Sequence, residues 1–290
     1  MAHRALLLVN RHARKGHDQL EAATHHLEAL GFELLEAPID RPVLLPRTIQ
    51  EYRDRVDLVI VGGGDGTLNA AVEGLVETQL PLGILPLGTA NDLARTLGIP
   101  ATLPEACQVI ANGKKQAIDL GWVNGKYFFN VASLGLSVQI TRGLTKTAKR
   151  RWGVLAYAAT AIQVLSKSRR FKAEIVCDGR SQTVKTVQIA VGNGRYYGGG
   201  MAVAEDAAID DERLDLYSLE IDHWWQMLLA LPALRRGTQA QSRWLQAWKG
   251  KEFFVYVPNK PRSINTDGEI TTTTPGHFKV VPKALTVLVP

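Results

Sequence analysis

An α/β domain followed by a β-rich domain is the fold class this sequence predicts, and three observations predict it. Over the first 120 residues, apolar runs of strand length alternate with segments of helical period, the pattern of a parallel sheet with helices on both faces. After about Gly125 that alternation gives way to closely spaced strand-like runs separated by turn residues, with only two obvious helical stretches. Finally, the apolar run Leu58–Val61 breaks into Gly62-Gly63-Gly64-Asp65-Gly66-Thr67 before a helix-like segment. That puts a glycine-rich turn at the carboxyl end of a strand, where open α/β sheets bind ligands.

In the first domain, residues 1–125, strands are expected at Ala5–Val9, Phe32–Glu36, Asp57–Val61, Gly83–Leu85 and Gln116–Trp122. Helices are expected at Asp18–Leu30 (ended by Gly31), Pro46–Arg53, Leu68–Glu77, Asp92–Leu97 and Leu103–Asn112. In the second, residues 126–290, the strand candidates are Lys126–Val131, Phe171–Cys177, Thr183–Val191, Leu214–Leu219, Glu252–Val257 and Phe278–Val281. A strand-like Thr271–Thr274 has no evident role. One helix, Arg151–Leu165, places Trp152, Leu155, Ala156, Ala159 and Ile162 at helical spacing for burial. Trp224, Trp225, Met227, Leu228, Leu229 and Leu231 before Pro232 form an almost all-round apolar segment, which predicts a buried helix. An interfacial helix with tryptophans at headgroup level is the alternative.

Composition narrows the function classes. At 290 residues the chain has ample room for a core, and 46% apolar with 21% charged residues describes an ordinary globular protein. The apolar run in the opening MAHRALLLVNRHARKG is too short for a signal peptide. No run approaches the roughly 20 apolar residues of a membrane span. Cys107 and Cys177 lack metal spacing and suggest a reducing compartment, so a cytoplasmic location is expected. A net charge of +6 suits anionic partners. The densest basic cluster, Lys146, Lys149, Arg150 and Arg151 leading into Trp152, has no interleaved aromatics and no reading module around it, which argues against nucleic acid. It reads as a solvated face or as a contact with acidic headgroups. His25 and His26 have no ligand spacing and read as solvated surface.

Two clusters carry chemistry. Gly63, Gly64, Asp65, Gly66 and Thr67 can turn backbone N–H groups towards an anion at a helix start, and glycines allow close approach to phosphate. Asp65 cannot hold phosphate directly and so suggests a magnesium ion or another cation between them. The competing reading is a plain strand-to-helix turn capped by Thr67. The second cluster, Pro86-Leu87-Gly88-Thr89-Ala90-Asn91-Asp92-Leu93-Ala94-Arg95, again runs from a short strand through a polar glycine turn into a helix. Asn91 is a plausible N-cap, and Asp92 with Arg95 could form a weak surface ion pair. Read together, the clusters are two phosphate-edge loops in one domain. A Walker-type ATPase is disfavoured, since no Gly-Lys-Ser/Thr follows the first loop.

These two stretches resemble the diacylglycerol kinase catalytic family, in its bacterial lipid kinase branch. The resemblance includes Val9-Asn10 with Arg14 and Lys15, Asp119-Leu120-Gly121, Phe129-Asn130 and Ser133-Leu134-Gly135. It continues through Gly192-Asn193 and Gly198-Gly199-Gly200 to Asp267-Gly268-Glu269, nearly the whole chain. It implies a Rossmann-like nucleotide-binding domain, a sandwich-like second domain and an active site in the cleft between them. It also implies ATP-dependent phosphorylation of a lipid hydroxyl. Residues matching the family's site put Asn10 and Thr67 near the ATP phosphates. Asp65, Asp92 and Asp119 become a network organising magnesium, water, Arg95 and Lys15, in keeping with a reaction that depends on positioning and charge neutralisation. Asp267 matches the family's base and Glu269 stands beside it, although Asp-Gly between strand-like runs is equally a hairpin-turn signal. Asp210, Asp211 and Asp215 lie where some members hold a structural divalent ion. Here Glu212-Arg213 replaces a common glycine and Ala204-Glu205-Asp206 a common proline turn.

The expected partners are a lipid alcohol and the surface of the membrane that carries it, with a homodimer left open. NAD kinase, which shares the Gly-Gly-Asp-Gly-Thr loop, is one alternative; a non-catalytic nucleotide- or lipid-binding protein is another. The Thr89–Arg95 stretch and the absence of a recognisable NAD kinase glycine pattern in the second domain argue against the first. Asp65, Asp92, Arg95 and Asp267 together argue against the second.

Overall fold

The protein is described from a computed structural model that places residues 3–9, 16–39, 41–143, 168–223, 225–258 and 260–290. Asn10, Arg14, Lys15, the Lys146–Arg151 cluster, the Arg151–Leu165 helix and Trp224 lie outside the described residues. The chain divides into two compact units that are not sequential halves. One contains residues 1–120, 198–200 and 281–290; the other contains 121–197 and 201–280.

The first unit is a parallel sheet of β1 (His3–Val9), β2 (Phe32–Pro38), β3 (Leu58–Gly63) and β4 (Leu82–Pro86) in the order β2-β1-β3-β4. Its helices are α1 (Gly16–Ala29), α2 (Leu45–Glu51), α3 (Asp65–Thr78), α4 (Asp92–Thr96) and α5 (Leu103–Asn112). All six residues of β3 are buried, as a central strand covered on both faces requires. That burial explains why the run is apolar without alternation. Because β2 and β3 flank β1 on opposite sides, the strand order reverses between β1 and β3. The carboxyl ends there form the crevice in which such sheets bind ligands.

In the second unit, six antiparallel strands form one sheet. They are β7 (Val131–Gly135), β10 (Gln188–Gly192), β13 (Leu214–Leu219), β14 (Leu245–Gly250), β16 (Ser263–Thr266) and β17 (Glu269–Thr273), ordered β14-β13-β10-β7-β16-β17. A second antiparallel layer pairs β8 (Phe171–Cys177) with β9 (Arg180–Thr186) and β15 (Glu252–Tyr256), and β15 with the first residues of β18 (Gly276–Val289). Between the layers lie Ala132, Leu134, Ile189, Val191 and Leu216 from one and Phe171, Ala173, Ile175, Phe253 and Phe278 from the other. This is the sandwich-like domain that was expected. The outer face of the six-stranded sheet is also covered: Ala190, Tyr217 and Leu219 pack with Ala230 and Leu234 of α7 (Gln226–Arg236). Coverage of both faces leaves every residue of β10 and β13 buried, Asp215 and Ser218 included, whereas β8 alternates buried and exposed over its first residues.

Five expected segments are revised. Lys126–Val131 is two strands, β6 (Lys126–Phe128) and β7, because the chain bends at Phe129-Asn130. Thr183–Val191 is likewise split, since the chain leaves one sheet after Thr186 and enters the other at Gln188. At the crossing the Thr186 hydroxyl lies within 3 Å of the carbonyls of Gln188 and Leu219 and accepts the Gln188 N–H at 3.1 Å. Phe278–Val281 is only part of the 14-residue β18, and Thr271–Thr273 gains a role in the edge strand β17 against β16. The helix expected to be buried continues through Pro232 to Arg236 and leaves Trp225, Leu228 and Leu229 exposed by 44%, 61% and 52%. Its all-round apolar composition hid one face packed on the sheet and another that is exposed.

Candidate active site

The two glycine loops of the first unit meet. β3 carries on through Gly62 and Gly63, Gly64 occupies the N-cap position of α3, and Asp65 is the helix's first residue. A methyl group at Gly88 would lie 2.4 Å from the Gly64 Cα, and one at Gly64 would lie 3.2 Å from the Gly88 Cα. Backbone therefore touches backbone at a distance only glycine permits. The Leu87 N–H donates to the Gly63 carbonyl at 3.0 Å, tying the loops beside that contact. Thr67 is not the N-cap expected of it. It is buried inside the first turn of α3, with its side chain against Gly63. Gly66 and the partly buried Gly64 line the start of α3, and Gly88 and Thr89 are exposed in the facing turn.

The carboxylates organise this corner. Asp65 Oδ1 accepts the Leu93 N–H at 3.1 Å, so it caps α4 from a different loop. That displaces the expected cap: Asn91 sits at the N-cap position with φ of 50° and makes no capping bond. Its side chain instead clips its own turn, accepting from the Gly88 N–H at 3.0 Å and donating to the carbonyls of Pro86 and Gly88. Asp92 is 5% exposed rather than on the surface, the charge of Arg95 acts on it, and both its oxygens accept the Gly199 N–H at 3.0 and 3.2 Å. Burial pushes the Asp92 carboxyl above the usual carboxylate range; the Gly199 bond pulls it back, and the charge of Asp65 adds to the rise. Arg95, exposed on α4, lies against Gly200, where an added methyl would sit 2.5 Å from its Nη1. The Gly198–Gly200 run belongs to this unit although it lies about a hundred residues downstream. In sequence it stood out only as a weak glycine repeat.

Asp119 is held elsewhere. It is 1% exposed, and its Oδ1 accepts the Lys283 N–H at 2.8 Å, fixing a left-handed residue of β18. Among the described residues, no three His, Cys, Asp or Glu side chains stand close enough to share an ion. Asp65, Asp92 and Asp119 are therefore not one direct coordination cluster. Near Asp211 and Asp215, the considered site of a structural ion, Arg213 Nε lies 3.0 Å from Asp211, and Lys249 Nζ lies 3.8 Å from Asp215 while it also holds Asp206.

Asp215 yields a prediction. Burial pushes its carboxyl up to about 6, against the pull of Lys249 and Arg213. A raised folded-state value means that stability is fully present below the unfolded value and is lost as pH rises through about 6. The loss is about 2–3 kcal/mol at most. Asp215→Asn should therefore gain thermal stability relative to wild type between about pH 4 and 7. Melting curves across that range check this, and a pH-independent difference would refute it.

In the second unit Asp267 and Gly268 are the two turn residues between β16 and β17, with φ of 46° and 96°, the backbone a two-residue hairpin turn demands. The hairpin reading of Asp-Gly thus describes the backbone. Its side chain does more: Oδ2 accepts the Phe129 N–H at 2.7 Å, and Oδ1 accepts those of Asn130 and Val131, both at 3.0 Å. Three donors in a row explain the bend that splits β6 from β7. The Asn193 amide donates to the Phe129 carbonyl at 2.9 Å from the other side. Glu269 is exposed at the start of β17. Cys107 offers no alternative nucleophile, since burial pushes its thiol up to about 11.

Comparison with known proteins places this architecture. Residues 4–123 match the diacylglycerol kinase catalytic domain, and residues 130–289 match the YegS C-terminal NAD kinase beta sandwich-like domain. A diacylglycerol kinase of Bacillus subtilis (strain 168) is 32% identical over 81% of this chain and 78% of its own. A protein named "Probable lipid kinase YegS-like" from Shewanella frigidimarina (strain NCIMB 400) is 29% identical over 82% of this chain and 78% of its own. A crystal structure from Bacillus anthracis str. Sterne, provisionally named a diacylglycerol kinase, superposes with a TM-score of 0.86 at 26% identity. It covers 99% of this chain and 95% of its own. A chain that carries both of these domains, with the paired glycine loops in the first, belongs to the diacylglycerol kinase family, in its bacterial lipid kinase branch, and is a lipid kinase.

Proposed function

We propose that this kinase transfers the γ-phosphate of ATP to the hydroxyl of a diacylglycerol-like lipid. The backbone contact between Gly64 and Gly88 carries the donor side of the reading. It joins two glycine turns and the start of a 14-residue helix at the carboxyl ends of β3 and β4, where N–H groups and the helix dipole favour phosphate. Thr67, Thr89, Asn91 and Arg95 line the same corner, and Arg95 supplies a guanidinium for phosphate charge. Asn10 and Lys15 follow the end of β1 in sequence and are proposed as further phosphate contacts. Asp65 and Asp92 are neighbouring hard oxygen donors, and two carboxylates suit a magnesium ion that keeps much of its water. Such an ion supplies neutralisation of phosphate charge during transfer. Asp119 serves by fixing β18 at Lys283.

Asp267 is assigned as general base. It takes the proton from the lipid hydroxyl as that oxygen bonds to the γ-phosphorus, while the bond from phosphorus to the β,γ-bridging oxygen breaks and ADP leaves. Its three N–H donors fix the carboxylate's orientation. Glu269 is proposed as an accessory carboxylate.

Transfer of labelled γ-phosphate to a panel of lipid alcohols, with NAD as an added acceptor, tests this. Label in a lipid phosphate is expected. Label in NAD alone would overturn the reading in favour of NAD kinase, and label in no acceptor would favour a binding protein.

A further inference from the structure

We infer that the outward face of α7 is the segment that docks on an anionic lipid bilayer. This rests on the lipid kinase reading, because an enzyme whose acceptor lies in a bilayer must meet that surface. α7 has two unlike faces. Met227, Ala230, Ala233 and Leu234 point into the core beneath the helix. Trp225 at the N-cap position, then Leu228, Leu229, Pro232, Arg235 and Arg236 are all exposed. Spacings of three, one, three, three and one residues put these six on one stripe. A surface helix ordinarily turns polar residues outward; here the stripe is apolar over two turns and then cationic.

Charge identifies the partner. The stripe carries no acid, and its last turn ends in two exposed arginines. Arg243 follows, exposed, its guanidinium 4.3 Å above the Trp244 ring. At the other end, Asp222 is paired with Arg170 at 2.6 Å, so its charge does not oppose an anionic surface. His223 stacks on Trp225 with ring centroids 6.1 Å apart. An apolar strip that begins at a tryptophan and ends in arginines matches the layering of a bilayer interface, with aliphatic side chains at the acyl boundary and cations at phosphate level. A neutral protein partner would use the leucines and leave the arginines unmatched.

Flotation of the full chain with vesicles tests the inference without ATP or turnover, so its failure is separable from failure of the kinase reading. Binding is expected to phosphatidylcholine vesicles containing phosphatidylglycerol and to be weak with phosphatidylcholine alone. Leu228→Ser/Leu229→Ser should weaken binding by about tenfold or more. Arg235→Gln/Arg236→Gln should weaken it by about fivefold per charge and remove its salt sensitivity. Circular dichroism should be unchanged in both variants, since all four side chains are exposed. Unchanged flotation of the folded leucine variant would overturn the inference. So would a wild-type dimer in light scattering that the leucine variant loses while still floating, which would give the stripe to a second copy.

Discussion

Asp267→Asn is expected to lower turnover by about 10²–10⁴-fold and, in the same protein, to lower the melting temperature. The first effect follows from removing the proton acceptor. The second follows from geometry that the sequence did not disclose, for the carboxylate accepts the N–H groups of Phe129, Asn130 and Val131. An asparagine offers one acceptor oxygen and turns an NH2 group towards a donor. A buried N–H left without a partner costs about 1–3 kcal/mol. The two roles separate in the pH profile of kcat/KM. Loss of a base removes the acidic limb, whereas a loosened scaffold leaves its shape and lowers only its height. A variant that melts early but turns over normally would assign Asp267 to the scaffold alone.

Gly88→Ala should be the most damaging small substitution on the donor side. The new methyl would meet the Gly64 Cα at 2.4 Å and the Asn91 Oδ1 at 2.6 Å. The first obstacle is backbone, and the second is a side chain already holding the turn through the Gly88 N–H. The loops must part, at a cost of about 1–3 kcal/mol. Moving two phosphate-facing backbones apart should raise the KM for ATP at least about tenfold. Gly179→Ala is the control: its φ of 74° also disfavours alanine, but nothing lies within 4 Å. It should cost about 1 kcal/mol of stability and leave the ATP dependence alone. Equal ATP kinetics in the two variants would defeat the role given to the loop contact.

Much of the α/β unit was legible because each of its strands and helices carries its own period, and β3, α5 and β4 follow directly from where the apolar runs begin and end. The sandwich was legible as a class but not in its joints. Nothing local distinguishes Lys126–Val131 from one continuous strand, since the bend is imposed by a carboxylate about 137 residues away. The switch at Val187 likewise depends on which sheet each half of the run finds. In the site, both glycine loops can be read, but their contact cannot, and Asn91 and Thr67 look like candidate caps because cap preference is a local statistic. Asp65 from another loop fills the first role, and the early start of α3 removes the second. Inward and outward faces of α7 were indistinguishable because both are apolar for most of its length.

The hydrogen bond from Lys283 to Asp119 and the pairing of Val287 with Leu82 give the end of β18 to the first unit. During synthesis the four parallel strands are therefore translated early, but their sheet is completed only after the second unit has been made. Until residues 281–290 leave the ribosome, β4 presents an unpaired parallel edge, the kind of edge that recruits stray strands. Loss of residues 281–290 would thus be felt first at β4, as an open seam in a sheet whose other strands are made before the whole second unit.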